Sequence, residues 1–239
     1  MRAVLFVVLK FRKNLCLLMI HVSHISKTYP SQVSALSDVS LEISPGDFTY
    51  VAGPSGSGKT TLLRILFGAE RPTSGEAVVN GIHITEKGLG TTYPLRRTMG
   101  IIFEEPKLLR DRSVGENIAL SLEVTGHFGK KMREKVSQVL AEVGLQAREK
   151  DSILYLSAGE QQRTAIARAL VHDPPLRLAD EPTGNLDLRT TEDVLKIIGH
   201  LHEKGTTILF ATHDMSLIQR YPHRTVYLEA GKIVGNVRT

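Results

Sequence analysis

Hydrophobic and polar positions alternate from Ile20, break at a turn, and resume in Ala35-Leu36-Ser37-Asp38-Val39-Ser40-Leu41-Glu42-Ile43. A period of two predicts strands with one buried face, and the Pro45-Gly46 turn after the second run fits an antiparallel pair. Asp47-Phe48-Thr49-Tyr50-Val51-Ala52 predicts a buried strand, and residues 62–67 predict a helix. After the turn cluster Arg71-Pro72-Thr73-Ser74-Gly75-Glu76, two short apolar runs flank Asn80-Gly81, the signature of a type I′ hairpin. Met99-Gly100-Ile101-Ile102-Phe103 predicts another short buried strand, ending at Glu104-Glu105-Pro106.

From 107 to 172 the period changes and the chain reads as mostly helical. Apolar residues at 132, 136, 139, 140 and 143 form a stripe at helical spacing, the mark of a packed amphipathic helix. Ser157-Ala158-Gly159-Glu160 reads as a cap opening a further helix with Ala165, Ile166, Ala169 and Leu170 on one side. Pro174-Pro175 stops it. Leu176-Arg177-Leu178-Ala179 predicts a strand, in which Arg177 marks a less buried face. A helix over 190–203 turns Val194, Leu195, Ile197, Ile198 and Leu201 inward, and residues 206–211 form a β-branched strand. Two last strands, Thr225-Val226-Tyr227-Leu228 and Lys232-Ile233-Val234, are joined through Gly231.

With 239 residues the chain suits one large α/β domain or one with a helical insertion, and 41% hydrophobic with 23% charged residues is globular. Residues 1–18 are apolar but interrupted by Lys10, Arg12 and Lys13, and their longest uncharged run is far short of the roughly 20 residues a spanning helix needs. They lack the small-residue cleavage site of a signal peptide. The simplest expectation is an upstream extension outside the fold, which starts at Met19; a membrane-touching segment is the alternative. The net charge of +5 is scattered among few aromatics, which argues against nucleic-acid binding. One cysteine, Cys16, excludes a disulfide framework and a zinc site, and suits a reducing compartment.

The chemistry concentrates in Gly53-Pro54-Ser55-Gly56-Ser57-Gly58-Lys59-Thr60-Thr61, which fits the phosphate-binding P-loop between a strand and a helix. Its glycines let successive N–H groups face one anion, and the helix N-terminus adds partial positive charge. Lys59 is expected to reach the β- and γ-phosphates of a nucleotide and Thr60 to ligate Mg²⁺. Tyr29, between the first two strands, offers a face on which adenine can stack. Asp180 and Glu181 end an apolar strand. There Asp180 can hold Mg²⁺ through water, and Glu181 can accept a proton from water attacking the γ-phosphate.

The order of these motifs resembles the nucleotide-binding domain of ABC (ATP-binding cassette) ATPases, from about Met19 to Val234. Leu156-Ser157-Ala158-Gly159-Glu160-Gln161-Gln162-Arg163 is similar to the family signature, Asn185-Leu186-Asp187 to the D-loop, and His213 in Ala211-Thr212-His213-Asp214 to the switch histidine. The resemblance implies a P-loop NTPase fold of class α/β: a RecA-like core, an antiparallel β subdomain and a helical subdomain at about 104–172, all within 19–239. It implies a Mg²⁺-dependent ATPase whose two copies associate head to tail around two ATP molecules. Ser157 and the Gly159 amide of one copy then bind the γ-phosphate held by the other, and His213 contacts that phosphate. Three positions depart from the pattern. Glu104 stands where the family has a glutamine, which still suits a Mg²⁺ or water ligand. Ala158 replaces the first signature glycine, and its methyl threatens to crowd the phosphate or change the backbone angle. Arg177 replaces an apolar residue.

Ala179-Asp180-Glu181-Pro182-Thr183-Gly184-Asn185-Leu186-Asp187 is similar to the subgroup of lipoprotein-release, macrolide-export and cell-division ATPases. Gly68-Ala69-Glu70-Arg71-Pro72, Leu108-Leu109-Arg110-Asp111-Arg112-Ser113-Val114 and Gly159-Glu160-Gln161-Gln162-Arg163 resemble the cell-division branch, the FtsE family. That resemblance implies a separate integral membrane partner of the FtsX type, held by the region after Glu104. It also implies a peripheral place on the cytoplasmic face of the plasma (inner) membrane. The alternative is the ATPase subunit of a lipoprotein-releasing or macrolide/drug exporter. A small-molecule kinase lacks the signature and switch histidine, and a DNA-repair ABC protein carries a long coiled coil between P-loop and signature; neither fits.

Overall fold

The computed structural model describes residues 18–84 and 92–238. The expected extension at 1–18 falls, but for its last residue, outside them. The described residues form two compact units, one built from 18–84, 92–98 and 207–238 and the other from 99–206.

In the first unit β1 (Ile20–Thr28) pairs antiparallel with β2 (Ser34–Ile43) and, on its other edge, with β4 (Ser74–Val79). The alternation read from the sequence is the buried face: Ile20, Val22 and Ile25 from β1, and Leu36, Val39, Leu41 and Ile43 from β2. It is broken by bulges, at one of which His24 and Asp38 both take positive φ and hydrogen bond through their side chains at 2.6 Å. Hairpin β4–β5 (Ile82–His83) turns at Asn80 (φ 48°) and Gly81 (φ 75°), the two left-handed residues a type I′ turn demands.

β3 (Phe48–Ala52), buried along its whole length, is the centre of the parallel part of this unit. It pairs with β8 (Thr207–Thr212) on one side and β9 (Arg224–Glu229) on the other; β10 (Lys232–Val237) closes the edge antiparallel to β9. Burial on both faces explains why β3 shows no alternation. Its Phe48 and Tyr50 rings pack with Phe210 and His223: Phe48 stacks on His223 at 4.2 Å, and Tyr50 meets Phe210 edge-on at 5.5 Å. Helix α1 (Lys59–Leu66) follows β3 and buries Leu62, Leu63, Ile65 and Leu66. Short helices α2 (Thr92–Arg96) and α7 (Met215–Arg220) complete the unit.

In the second unit β6 (Met99–Ile102) lies parallel to β7 (Leu176–Asp180). The crossover carries α3 (Val114–Val124), α4 (Gly129–Glu142) and α5 (Ala158–Leu170), and α6 (Leu188–Glu203) follows β7. Of the five positions of the expected α4 stripe, Val136, Val139, Leu140 and, at the C-cap, Val143 are buried; Met132 is half-exposed. In α6 four of the five expected apolar residues are buried; Ile197 is half-exposed.

Arg177 does not mark an open strand face. Its side chain is 3% exposed and donates from Nη1 to Thr206 Oγ1, with Asp173 Oδ1 at 3.5 Å. Flanking helices α4, α5 and α6 supply the Val139, Leu170 and Leu201 walls of a cavity of about 320 Å³ beside it. A guanidinium can occupy such a strand position because its long stem reaches a polar rim.

Candidate functional site

The P-loop leaves the carboxyl end of β3. Ala52, the last residue of β3, pairs with Thr212 of β8, so His213 leaves the neighbouring parallel strand at the same end. Loops at the carboxyl ends of parallel strands are where such sheets bind ligands. The loop is pressed against its surroundings: a Cβ at Gly53 would lie 2.0 Å from the Leu228 carbonyl oxygen. Gly58, at φ 108°, would bring one within 2.5 Å of the Ala35 carbonyl oxygen. No side chain there fits without moving backbone. Gly58 is also the N-cap of α1, and it supplies no side-chain hydrogen bond. By contrast Ser113, Ser157, Asp187 and Asp214 cap α3, α5, α6 and α7. The loop thus ends at the N-terminus of α1, where the helix dipole favours an anion.

Lys59 is 4% exposed, and its Nζ donates to the carbonyls of Gly53 (2.8 Å) and Pro54 (3.0 Å), curling over the loop. Ser57 Oγ is buried and has no partner among the described residues. Pro54, Ser55, Gly56 and Thr60 are exposed, and Thr61 is half-buried. Tyr29 stands where the sequence put it, after β1, with its hydroxyl 3.4 Å from Thr61 Oγ1. One face of its ring is covered by Lys27 Nζ, 4.9 Å from the centroid. His213 is exposed. The first unit therefore gathers Tyr29, residues 53–61 and His213.

The second unit gathers the rest. Ile102 pairs with Ala179, so Glu104, Asp180 at the end of β7 and Glu181 after it all lie beyond the same end of the β6–β7 ladder. Asn185 Nδ2 donates to Glu104 Oε1 at 3.4 Å, a link between the Glu104 and D-loop segments that the sequence did not disclose. Glu181 has φ 47°. A left-handed glutamate costs of order 1 kcal/mol or more and is held there by its surroundings, here including the Gly184 N–H on its carbonyl at 3.1 Å.

Ser157 is exposed and caps α5 in a reciprocal box: its N–H and its hydroxyl both donate to Glu160 Oε2 (2.8 and 2.9 Å), and the Glu160 N–H donates back to Ser157 Oγ. The Ser157 N–H, followed by its hydroxyl and Arg148, holds the Glu160 carboxyl below the usual glutamate range. Ala158 opens α5 as an ordinary helical residue without positive φ, so the missing glycine imposes no unusual backbone angle. Gly159 packs on the start of α6: a Cβ there would lie 2.5 Å from Thr190 Cγ2. Thr190 is fixed by Asp187, which accepts its N–H at 3.0 Å and its hydroxyl at 2.8 Å.

A phosphate-gripping loop on a parallel sheet, with a capped signature helix and an Asp-Glu strand end, defines an ATP-binding cassette. The family model described as ABC transporter matches residues 36–184, and the chain belongs to that family: it is an ABC ATPase. It is similar to the cell division ATP-binding protein FtsE of Escherichia coli K12, 42% identical over 219 residues that cover 92% of this chain and 99% of that protein. FtsE of Mycobacterium tuberculosis is 40% identical, covering 91% and 95%. FtsE of Bacillus subtilis is 38% identical, covering 90% and 95%. Among solved structures it is similar to the ATP-binding cassette MJ0796 in a dimeric post-hydrolysis state bound to ADP and Pi. The TM-score is 0.85 at 32% identity, covering 92% and 98% of the two chains. CbiO1 from Clostridium perfringens matches with a TM-score of 0.83 at 26% identity, covering 93% and 89%.

Proposed function

We propose that this chain is the ATP-hydrolysing subunit of an FtsE-type complex, working as a head-to-tail pair on an integral membrane partner of the FtsX type. The observation that carries the ATPase site is the P-loop at the N-terminus of α1, packed so closely that it tolerates no Cβ at Gly53 or Gly58. Similarity to FtsE proteins along their whole length supports the division role.

The residues act as follows in this reading. Loop amides of 53–61 and Lys59 bind the β- and γ-phosphates, and Tyr29 stacks on adenine. Thr60 ligates Mg²⁺, Asp180 holds it through water, and Glu104 serves as a further ligand to the ion or its water. Among the described residues no group of three or more His, Cys, Asp or Glu side chains is placed to hold a metal by itself. That suits an ion bound mainly by hydroxyl, water and phosphate oxygens, which supplies charge neutralisation at the phosphates when bound. Glu181 accepts the proton of the attacking water and His213 orients at the γ-phosphate. Ser157 and the Gly159 amide serve the nucleotide of the second copy.

No helix among the described residues is long and apolar enough to cross a membrane. A separate membrane subunit, docking on the region after Glu104 in the proposed helical subdomain of about 104–172, would hold the chain at the cytoplasmic face of the inner membrane. Co-purification of the Glu181→Gln protein from its native host with ATP tests the partner. A four-span protein arriving with cell-wall hydrolase components supports the division role. A partner with a large periplasmic domain, arriving with a lipoprotein carrier or an outer-membrane channel, makes the complex an exporter and overturns it.

A further inference from the structure

The segment from Phe103 to Arg112 lies outside helix and strand, yet its backbone is held at many points by side chains of two helices. Gln162 of α5, 1% exposed, donates from Nε2 to the Phe103 carbonyl at 3.1 Å. Arg168, two turns further along α5, donates from Nη2 to the Pro106 carbonyl at 2.7 Å and from Nη1 to the Lys107 carbonyl at 2.8 Å. Asn117 of α3, fully buried, closes the far end: its side chain exchanges bonds with the N–H and carbonyl of Leu109 and donates to the carbonyl of Ser113.

Two carbonyls in succession on one guanidinium is a bidentate, charge-assisted grip. Burial pushes the Arg168 pKa down, but a guanidinium stays charged. Lys107 holds φ 49°, and its ammonium pairs with Glu105, so the loop is fixed in a conformation it would not adopt unaided. The same helix is fused to the strand before the loop: a Cβ at Gly100 would lie 2.2 Å from the Ala169 carbonyl oxygen. At its other end α5 presents Ser157, and the loop presents Glu104, bonded to Asn185.

We propose that Arg168 is a positioning residue of the ATPase. Its fork makes the loop after Glu104 and helix α5 move as one body, so that a load on 107–112 is delivered to Ser157. This rests on the proposed function in one respect only: Ser157 serves the second copy's nucleotide. A loop joined to α5 through Gln162 alone would pivot about one bond; the two Arg168 bonds remove that freedom.

The test uses the full chain with Arg168→Met and Arg168→Lys. Hydrogen exchange without nucleotide, steady-state ATPase, fluorescent-ADP affinity and thermal unfolding are compared with wild type. Arg168→Met is expected to speed exchange in both 103–112 and 157–163, and to lower kcat about tenfold. ADP affinity stays near wild type while Tm falls by a few degrees with the two lost bonds, and Arg168→Lys, keeping one carbonyl, falls between. Faster exchange confined to 103–112 overturns the proposal, as does an unchanged kcat. So does a parallel loss of Tm and ADP affinity, which would mark a purely structural arginine. A wild-type chain that binds ATP without hydrolysing it would overturn the proposed function instead, and the exchange pattern in 157–163 would still decide Arg168.

Discussion

Lys59 is a buried cation whose ammonium is shared between two loop carbonyls, Gly53 and Pro54. Those carbonyls are weak competitors for a phosphate, which carries full negative charge. Lys59→Ala should therefore lower ATP affinity about 10- to 100-fold, the cost of a bond to a charged group, in a fluorescent-nucleotide titration. Arg177 is the opposite case. Its Nε is buried without a partner, burial lowers its pKa, and its carboxylate partner Asp173 is 91% exposed. A charge so poorly compensated is weak evidence for stability, and an apolar replacement is often neutral or better. Arg177→Met should leave stability unchanged or raise it by up to about 1 kcal/mol; denaturant unfolding showing a loss above about 2 kcal/mol would refute this. From the sequence, Arg177 read as a mark of exposure because charge usually means solvent. Its carbon stem and the half-exposed Thr206 hydroxyl at the rim are tertiary facts with no local signal.

Helix α5 announces itself by its cap. Ser157 three residues before Glu160 predicted the start of α5, and the box is present in both directions. Ser157→Ala should cost about 1 kcal/mol in unfolding free energy, as lost Ser caps do. The pH dependence belongs to Glu160. Its folded pKa is depressed, first by the Ser157 N–H, so its contribution is complete above the unfolded value and disappears as pH falls through the folded one. Glu160→Gln keeps an acceptor for both Ser157 bonds. It should make the acid limb of stability shallower between those two pKa values, read from unfolding midpoints at successive pH; Glu116, Asp187 and Asp214, also lowered, keep the rest of the slope. The hairpin at Asn80-Gly81 and the buried run of β3 were equally legible, because turn chemistry and continuous apolarity are local. Helix α7 was not: its six residues bury only Leu217 and Ile218, too few to show a period. Gln162, Arg168 and Asn117 were missed for another reason. A polar residue in a helical pattern is read as solvated, and only the fold reveals that these three satisfy a loop's carbonyls.

At the scale of the whole molecule the proposed chemistry is unfinished in a single copy. Ser157 and Ala158 are exposed, and the Ser157 hydroxyl is turned back onto Glu160, an acceptor that a γ-phosphate can replace. If a second copy supplies that phosphate, ATP is the adhesive of the pair, and whatever removes the γ-phosphate dissolves it. Glu181 is the residue assigned to that removal, and its left-handed backbone is a cost kept at the end of β7. Glu181→Gln preserves size and hydrogen-bonding reach but cannot take a proton. The variant should therefore bind Mg²⁺-ATP, fail to hydrolyse it, and accumulate as a dimer by light scattering, while ADP leaves it monomeric. A loss of only the proton acceptor should lower kcat by about 10²-fold or more. A monomer at saturating Mg²⁺-ATP would count against the head-to-tail pair. A dimer with either nucleotide would show an association that does not depend on the γ-phosphate, and would remove the reason for placing Ser157 at the partner's nucleotide.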